Sequence, residues 1–151
     1  MTEPDLRSLF TAFGDALNQH DWPSLAALLH PEASLEYPQS GERFVGPDNI
    51  RDQFANYPAL EPGSTHVEEV IGETRYAVSP LFTLIAVEGT GQIGTGITRV
   101  RYPDGSLWWA VNVFEMRDGL LGRMRTFFAE DFPAPDWRAP YRDADKPDTS
   151  R

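Results

Sequence analysis

Residues 107–128 read LWWAVNVFEMRDGLLGRMRTFF. Their β-branched and aromatic residues predict two strands, at about Leu107–Met116 and Leu120–Phe128. Asp118-Gly119 stands between the two, and an Asp-Gly pair between apolar runs is typical of a tight β-hairpin. Pro103-Asp104-Gly105 is a second turn signal just upstream, and it joins a further strand to this pair. The last three strands are therefore predicted to form an antiparallel meander.

The chain upstream of residue 107 contains more segments of strand character, the last of which is the first strand of the meander. Strands are predicted at about Thr65–Glu73, Phe82–Glu88 and Thr95–Tyr102, and a short edge hairpin joins Ala33–Tyr37 to Arg43–Val45. The glycines that precede or begin the third of these strands favour a flexible turn; they are Gly89, Gly91, Gly94 and Gly96.

Three segments nearer the N-terminus have apolar residues at helical spacing. The first helix is predicted at about Glu3–Gln19 with Thr2 as its N-cap. The second begins after Asp21 and ends at His30-Pro31, and Gly46-Pro47-Asp48 begins the third. Helices that come before a set of antiparallel strands indicate an α+β fold.

Length and composition limit the classes of function. At 151 residues the chain fits one domain, predicted at residues 1–138 with a flexible C-terminal tail at 139–151. A formal net charge of −10 disfavours nucleic acid and anionic membranes as partners. Since the sequence has no cysteine, signal peptide or long apolar run, a cytoplasmic location is expected. No two histidines are spaced as metal ligands, so we expect no metal and no other cofactor.

Five segments together carry a family resemblance. They are FGDALNQHDW at 13–22, LAALLHPEA at 25–33, GPDNI at 46–50, RDGLLGRMRTFF at 117–128 and FPAPDWR at 132–138. They resemble the SnoaL-like branch of the nuclear transport factor 2-like superfamily, over about Leu6–Arg138. The resemblance implies three helices packed on a highly curved antiparallel sheet, a cone-shaped half-barrel whose concave side forms an apolar pocket. The superfamily includes ketosteroid isomerase, polyketide cyclases, an epoxide hydrolase, dehydratases and non-catalytic members, so the resemblance is specific for the fold.

The resemblance also tests particular chemistries residue by residue. Positions that in ketosteroid isomerase carry a tyrosine, a carboxylic acid and a catalytic aspartate fall here on Phe13, Asn112 and Tyr37. Ketosteroid isomerisation by that mechanism is therefore not expected, and the strand aspartates of the epoxide hydrolase mechanism are lacking as well. A cyclase base would have to be a glutamate. Strand alternation places Glu115 on the outer face if Asn112 faces the pocket.

Three residues are candidates for catalysis. Asn112 would hold a developing oxyanion as a neutral donor, while Tyr37 or His66 would move protons. The structural alternatives are that Asn112 bonds Tyr37 or a water, and that Tyr37 merely packs at an edge. Six residues are predicted to bind the substrate or, alternatively, to be plain core: Phe13, Trp108, Phe114, Met124, Thr126 and Phe128.

The opposite face of the last two strands is also apolar. Residues with that parity are Leu107, Trp109, Val111, Val113, Leu121 and Phe127. Because a monomer would leave these residues in water, and because a second copy commonly packs there in the resembled superfamily, a homodimer is predicted. Trp137 and Arg138 would reach across that interface or cap the pocket.

The leading interpretation is a cofactor-independent isomerase, cyclase or dehydratase that acts on a small hydrophobic carbonyl compound. The alternative is a non-catalytic binding or accessory protein of the same fold. The lack of strand aspartates favours the alternative, whereas an asparagine within an otherwise apolar strand face favours the enzyme.

Overall fold

The computed structural model describes residues 5–58, 82–88 and 92–143. In chain order the elements are α1 (Leu6–Gln19), α2 (Trp22–Ala27), β1 (Leu29–Tyr37), β2 (Glu42–Val45), α3 (Pro47–Ala55), β3 (Phe82–Glu88), β4 (Ile93–Arg101), β5 (Leu107–Arg117), β6 (Leu120–Glu130) and a 3-10 helix (Asp136–Tyr141). Helices near the N-terminus and a strand meander after them confirm the predicted α+β fold. Among the described residues, no helix is long and apolar enough to cross a membrane.

The described strands form one curved, open sheet in the order β2-β1-β6-β5-β4-β3. Neighbouring strands are antiparallel except β1 and β6, which run parallel. This pair differs from the antiparallel prediction. Among the described residues α3 and four strands intervene between β1 and β6, and so long a connection permits a parallel return. The strand predicted at Thr65–Glu73 lies outside the described residues.

Two turns connect the meander as predicted. Asp118 and Gly119 join β5 to β6 with φ of 51° and 76°, which a two-residue turn of type I′ requires. Between β4 and β5, Gly105 has a φ of 84° and donates its N–H to Tyr102 O at 2.8 Å. The antiparallel meander of β4, β5 and β6 is confirmed by its register.

Capping residues determine where the first two helices begin. Asp5, rather than the predicted Thr2, is the N-cap of α1, because its carboxylate accepts a hydrogen bond from Ser8 N at 2.7 Å. The helix therefore begins at Leu6. Asp21 caps α2 as predicted and accepts from Ser24 N at 3.2 Å.

The second helix ends earlier than predicted. Its last residue is Ala27, and His30-Pro31 lies inside β1. The reason is that Leu29 already pairs with Leu121 of β6, so the chain has entered the sheet before it reaches the proline.

A β-bulge near the start of β6 changes the parity of that strand. Glu115 pairs with Arg123 but Met116 pairs with Leu121, which leaves Gly122 as an extra residue. As a result Leu121 is fully buried in the core, whereas strict alternation placed it on the outer face.

Strand β4 begins at Ile93, so Gly94 and Gly96 lie in a strand and not in the flexible turn predicted for them. Gly96 lies directly beneath Phe10 of α1, and a Cβ atom there would come within 2.7 Å of the Phe10 ring. A residue without a side chain at this position allows α1 to pack against the sheet.

The core lies between α1 and the face of the sheet that we call the concave face. Phe10 stacks on Phe114 with ring centroids 4.8 Å apart, and Phe114 is fully buried. By strand alternation Trp108, Ala110 and Asn112 share the concave face with Phe114. Other core residues are Leu6, Leu9, Phe13, Leu17, Leu25, Leu29, Leu35, Ile50, Leu121 and Met124.

The segment after β6 is exposed, and its 3-10 helix spans the predicted boundary between residues 138 and 139. Its large aromatic side chains are mostly in solvent: Phe132, Trp137 and Tyr141. The division into a domain and a flexible tail stays a prediction.

Candidate functional site

A hydrogen-bonded group of polar side chains crosses the concave face on three adjacent strands. Asn112 of β5 lies opposite Thr126 of β6 and Gly96 of β4. Thr126 Oγ1 donates to Asn112 Oδ1 at 2.9 Å. Asn112 Nδ2 donates to Gly96 O at 3.2 Å and to Thr98 Oγ1 at 3.4 Å, and Thr98 Oγ1 donates to Ala110 O at 3.3 Å. We call Thr98, Asn112 and Thr126 the polar cluster.

A backbone carbonyl fixes the orientation of the Asn112 amide. Gly96 O can only accept, so the amide atom that faces it must be the nitrogen. Both threonine hydroxyls and the Asn112 nitrogen donate within the protein, which leaves acceptor lone pairs as the unused capacity of the polar cluster. The cluster therefore suits a hydroxyl or amine donor of a ligand. Stabilising an oxyanion, the role predicted for Asn112, would require Asn112 Nδ2 to exchange one of these bonds.

Tyr37 lies beside the polar cluster at the end of β1. Glu36 pairs with Arg125, so Tyr37 and Thr126 are the next residues along the two parallel strands. The Tyr37 hydroxyl donates to Gln53 Oε1 of α3 at 3.1 Å. Burial raises the pKa of Tyr37 above its ordinary value, so the hydroxyl keeps its proton at neutral pH. Tyr37 is therefore a hydrogen-bond donor at neutral pH and not a base.

Gln53 adds a buried amide nitrogen to this region. Its Nε2 atom has no hydrogen-bond partner within the part of the chain that the structure describes. Pro47 at the start of α3 and the fully buried Ile50 one turn before Gln53 hold the helix in place. Because buried polar groups in proteins are nearly always paired, this amide has donor capacity left over.

Aromatic side chains form the rim of the concave face beyond the polar cluster. The Tyr37 ring packs edge-on against Phe44 and Phe128, with centroid distances of 5.4 and 5.3 Å. Three further rings form a chain from α3 to β5 through contacts at 5.3 and 6.1 Å: Tyr57, Tyr102 and Trp108. The polar cluster thus lies between the closed core around Phe114 and a partly exposed aromatic rim.

The residues predicted to bind the substrate fall into two groups. Phe13, Phe114 and Met124 are buried in the core, where Phe13 packs edge-on against Phe54 at 5.8 Å. Trp108 and Phe128 are half-buried in the aromatic rim, and Thr126 belongs to the polar cluster. The structure brings Tyr37 and Asn112 to the same face, while His66 lies outside the described residues.

The hydrogen-bonding residues of this site are all neutral at pH 7. Glu115 lies on the opposite face, as the parity argument predicted, and Glu36 forms ion pairs with Arg43 and Arg123. No group of three or more histidine, aspartate or glutamate side chains in the described ranges is arranged to hold a metal ion.

The convex face carries exposed apolar residues beside a partly buried ion pair. Val111 and Phe127 lie opposite each other with 38% and 41% of their surface exposed. Arg99 is buried, forms a two-pronged ion pair with Asp131 and lies 4.6 Å from the ring centre of Trp109. This pair connects β4 to the residue that follows β6.

Two residues of the site were missed from the sequence. Thr98 is opposite Ala110, and counting back through the Pro103-Asp104-Gly105 turn would have placed it on the concave face. Gln53 follows the apolar Ile50 by three residues, so helical spacing would have placed it on the same side of α3 as a residue that packs inward.

Comparison with known proteins places this geometry in context. A family model described as a SnoaL-like domain matches residues 10–124. No functionally curated protein matches the sequence.

Solved structures with the same fold are numerous but distant in sequence. A suggested ketosteroid isomerase from Kribbella flavida DSM 17836 is 23% identical, with a TM-score of 0.72 over 96% of this chain and 93% of that one. A protein of unknown function from Burkholderia xenovorans LB400 is 22% identical, with a TM-score of 0.70 over 93% and 94%. An LEH-like epoxide hydrolase from M. tuberculosis is 17% identical, with a TM-score of 0.56 over 80% of each chain. At such identities the likeness shows the fold alone.

Proposed function

Because the chain belongs to the SnoaL-like domain family, we propose that it binds a small hydrophobic carbonyl compound on its concave face and acts on it, without a cofactor, as an isomerase, cyclase or dehydratase. The observation that carries the proposal is the row of neutral hydrogen-bonding groups between the core and the aromatic rim. A small number of polar groups within a mostly apolar surface is typical of sites that orient a ligand.

Each candidate residue has a role in this proposal. Tyr37 donates a hydrogen bond to the substrate, since burial keeps its hydroxyl protonated, and its role in moving a proton stays a prediction that the raised pKa does not favour. His66 is the proposed proton acceptor. The polar cluster binds a hydroxyl of the substrate, and the oxyanion role of Asn112 stays a prediction that its present hydrogen bonds do not favour.

A non-catalytic binding protein is the second candidate function. It is favoured by the neutral character of the site, because the described hydrogen-bonding residues include no carboxylate that could act as a base. The same concave face would then sequester the compound without changing it.

Tyr37→Phe separates the two candidates. Proton transfer is measured as exchange of α-carbon protons for deuterium in 1-tetralone and 2-tetralone, followed by NMR. For an enzyme, we expect wild type to accelerate exchange and Tyr37→Phe to lower kcat about 100-fold with a smaller change in KM, because the lost group acts on the transition state. Tyr141→Phe, at an exposed tyrosine, is the matched control.

The other outcomes are equally decisive. Binding of the ketones without any acceleration of exchange would support the non-catalytic protein and contradict the enzyme. Absence of binding to both ketones would contradict the proposed ligand class.

We also propose that the protein is a homodimer and that it is located in the cytoplasm. The exposed Val111 and Phe127 on the convex face support the dimer, and the lack of cysteine supports the location.

A further inference from the structure

Gln53 places an unsatisfied hydrogen-bond donor beside the proposed ligand site. Its Oε1 atom accepts from the Tyr37 hydroxyl, while its Nε2 atom is buried and has no partner among the residues described. Burying an amide N–H without a partner is unfavourable, so a group that completes its hydrogen bonds when a ligand binds gains from that binding.

Gln53 and Tyr37 have a spare hydrogen-bond donor in either orientation of the Gln53 amide. If its oxygen and nitrogen were exchanged, Nε2 would donate to the Tyr37 oxygen, and the Tyr37 O–H would be released. In both orientations Gln53 and Tyr37 share one hydrogen bond, which uses one of their three donor hydrogens and leaves two. The pair as a unit therefore presents a donor to a ligand atom that accepts.

The surroundings of the pair indicate which acceptor fits. The Tyr37 ring contacts Phe44 and Phe128, so the described part of the site offers aromatic carbon and the neutral donors of Tyr37 and Gln53. A carboxylate or phosphate would be buried here without a counter-charge, which is strongly unfavourable. A carbonyl oxygen carries no charge and has two lone pairs, which match the donors of an amide and a phenol.

We propose that Gln53 is a ligand-binding residue and that the Gln53–Tyr37 pair binds the carbonyl oxygen of a hydrophobic ketone, ester or quinone through its spare donors, which are the Gln53 N–H groups while the Tyr37 hydroxyl donates to Gln53 Oε1. This inference rests on the proposed function and deepens it, because it assigns the carbonyl end of the ligand to α3 and β1. The polar cluster, with its acceptor lone pairs, is then left for a hydroxyl group of the same molecule.

The test compares two probes of the same carbon skeleton, 2-tetralone and the hydrocarbon tetralin, by ligand-observed NMR. Gln53→Met keeps the length of the side chain but removes both hydrogen-bonding atoms. We expect it to weaken binding of 2-tetralone about ten-fold and that of tetralin less than about two-fold, since only the ketone has an oxygen to lose. Gln53→Leu provides a second variant, and Gln19→Met, at an exposed glutamine of α1, is the control.

The possible results test the role of Gln53 and the proposed ligand class separately. Equal loss of affinity for both probes would show that Gln53 acts only on packing, and would overturn the inference while the proposed ligand class stands. Unchanged affinity for both probes would overturn it as well. If wild type bound neither probe, the proposed function would fail together with the inference.

Discussion

Tyr37 and Tyr102 are buried enough for their ionisation to affect stability. Burial raises the pKa of Tyr37 above its ordinary value, and burial together with nearby Tyr57 raises that of Tyr102 to about 12. In the unfolded chain both titrate near pH 10. The folded state therefore keeps protons that the unfolded state has lost once the pH exceeds 10.

The free energy of unfolding is therefore expected to decrease at high pH. The stabilisation is complete below pH 10 and decreases as the pH rises from there toward the folded pKa values, by at most about 1.4 kcal/mol per pH unit for each tyrosine. We expect the free energy of unfolding, measured in urea, to be lower at pH 11 than at pH 9. The decrease is expected to be smaller in Tyr102→Phe than in wild type, because the variant lacks one of the two buried hydroxyls. An identical decrease in Tyr102→Phe and wild type would contradict the burial of this hydroxyl.

Single residues of the site were predictable where strand alternation determines their face. Asn112 faces the concave side because Phe114 does, and this follows from a period of two. The bonds of Asn112 were not predictable, because they depend on which residues of β4 and β6 lie opposite it. Gln53 was missed for a similar reason, since its contact with Tyr37 joins two elements that the sequence cannot orient relative to each other.

Helix α1 packs closely on strand β4 because residue 96 of the strand is a glycine and has no side chain. A Cβ atom on Gly96 would lie 2.7 Å from Cε1 of Phe10, and Phe10 is itself stacked on Phe114. Gly96→Ala must therefore displace α1 or the ring, and we expect it to lower the free energy of unfolding by about 1–3 kcal/mol.

Gly14→Ala is the matched control for this prediction. Gly14 lies within α1 with no atom near the position of its absent Cβ, so alanine there is expected to stabilise the protein by about 0.5–1 kcal/mol. Urea denaturation of both variants measures the two changes. An unchanged free energy of unfolding in Gly96→Ala would show that α1 does not pack tightly against the sheet at Gly96.

The elements themselves were predicted well where turns and caps are local. Asp21 begins α2 and Asp118-Gly119 forms its hairpin, because each effect involves neighbours in sequence. The bulge at Gly122 was not predicted, although it moves Leu121 from the outer face into the core. A bulge is visible only when the partner strand is known, since it is a mismatch in the count of two strands.

At the scale of the whole molecule, the convex face determines the expected assembly. Val111 and Phe127 form an exposed apolar pair on adjacent strands, and Ile93 is 58% exposed on the neighbouring one. Sedimentation at micromolar concentration is expected to give a particle of twice the 17.0 kDa chain mass.

Phe127→Lys tests whether this face forms the interface. A lysine there would bury a charge between the two copies, so we expect the variant to sediment as a monomer. Val45→Lys changes an exposed valine on β2 at the far edge of the sheet and is expected to remain a dimer. A wild-type monomer, or a dimer that persists in Phe127→Lys, would contradict the proposed interface.

The overall architecture could be predicted because many weak signals agree. Helical spacing, strand patterns and two turns all favour helices packed on a meander. The parallel pairing of β1 with β6 could not be predicted in this way, since no local pattern relates two segments so distant in sequence.

That parallel pair also sets an order in time. The end of β1 at Tyr37 and the start of β6 at Leu120 are separated by about eighty residues, which a ribosome adds in roughly 4–16 s at about 5–20 residues per second. During that interval β1 lacks β6, the strand that covers the edge opposite β2 in the described sheet. The pairing of β1 with β6, near the centre of the described sheet, therefore cannot form until the final hairpin has been synthesised, and this edge of β1 has to be kept from pairing with other chains until then.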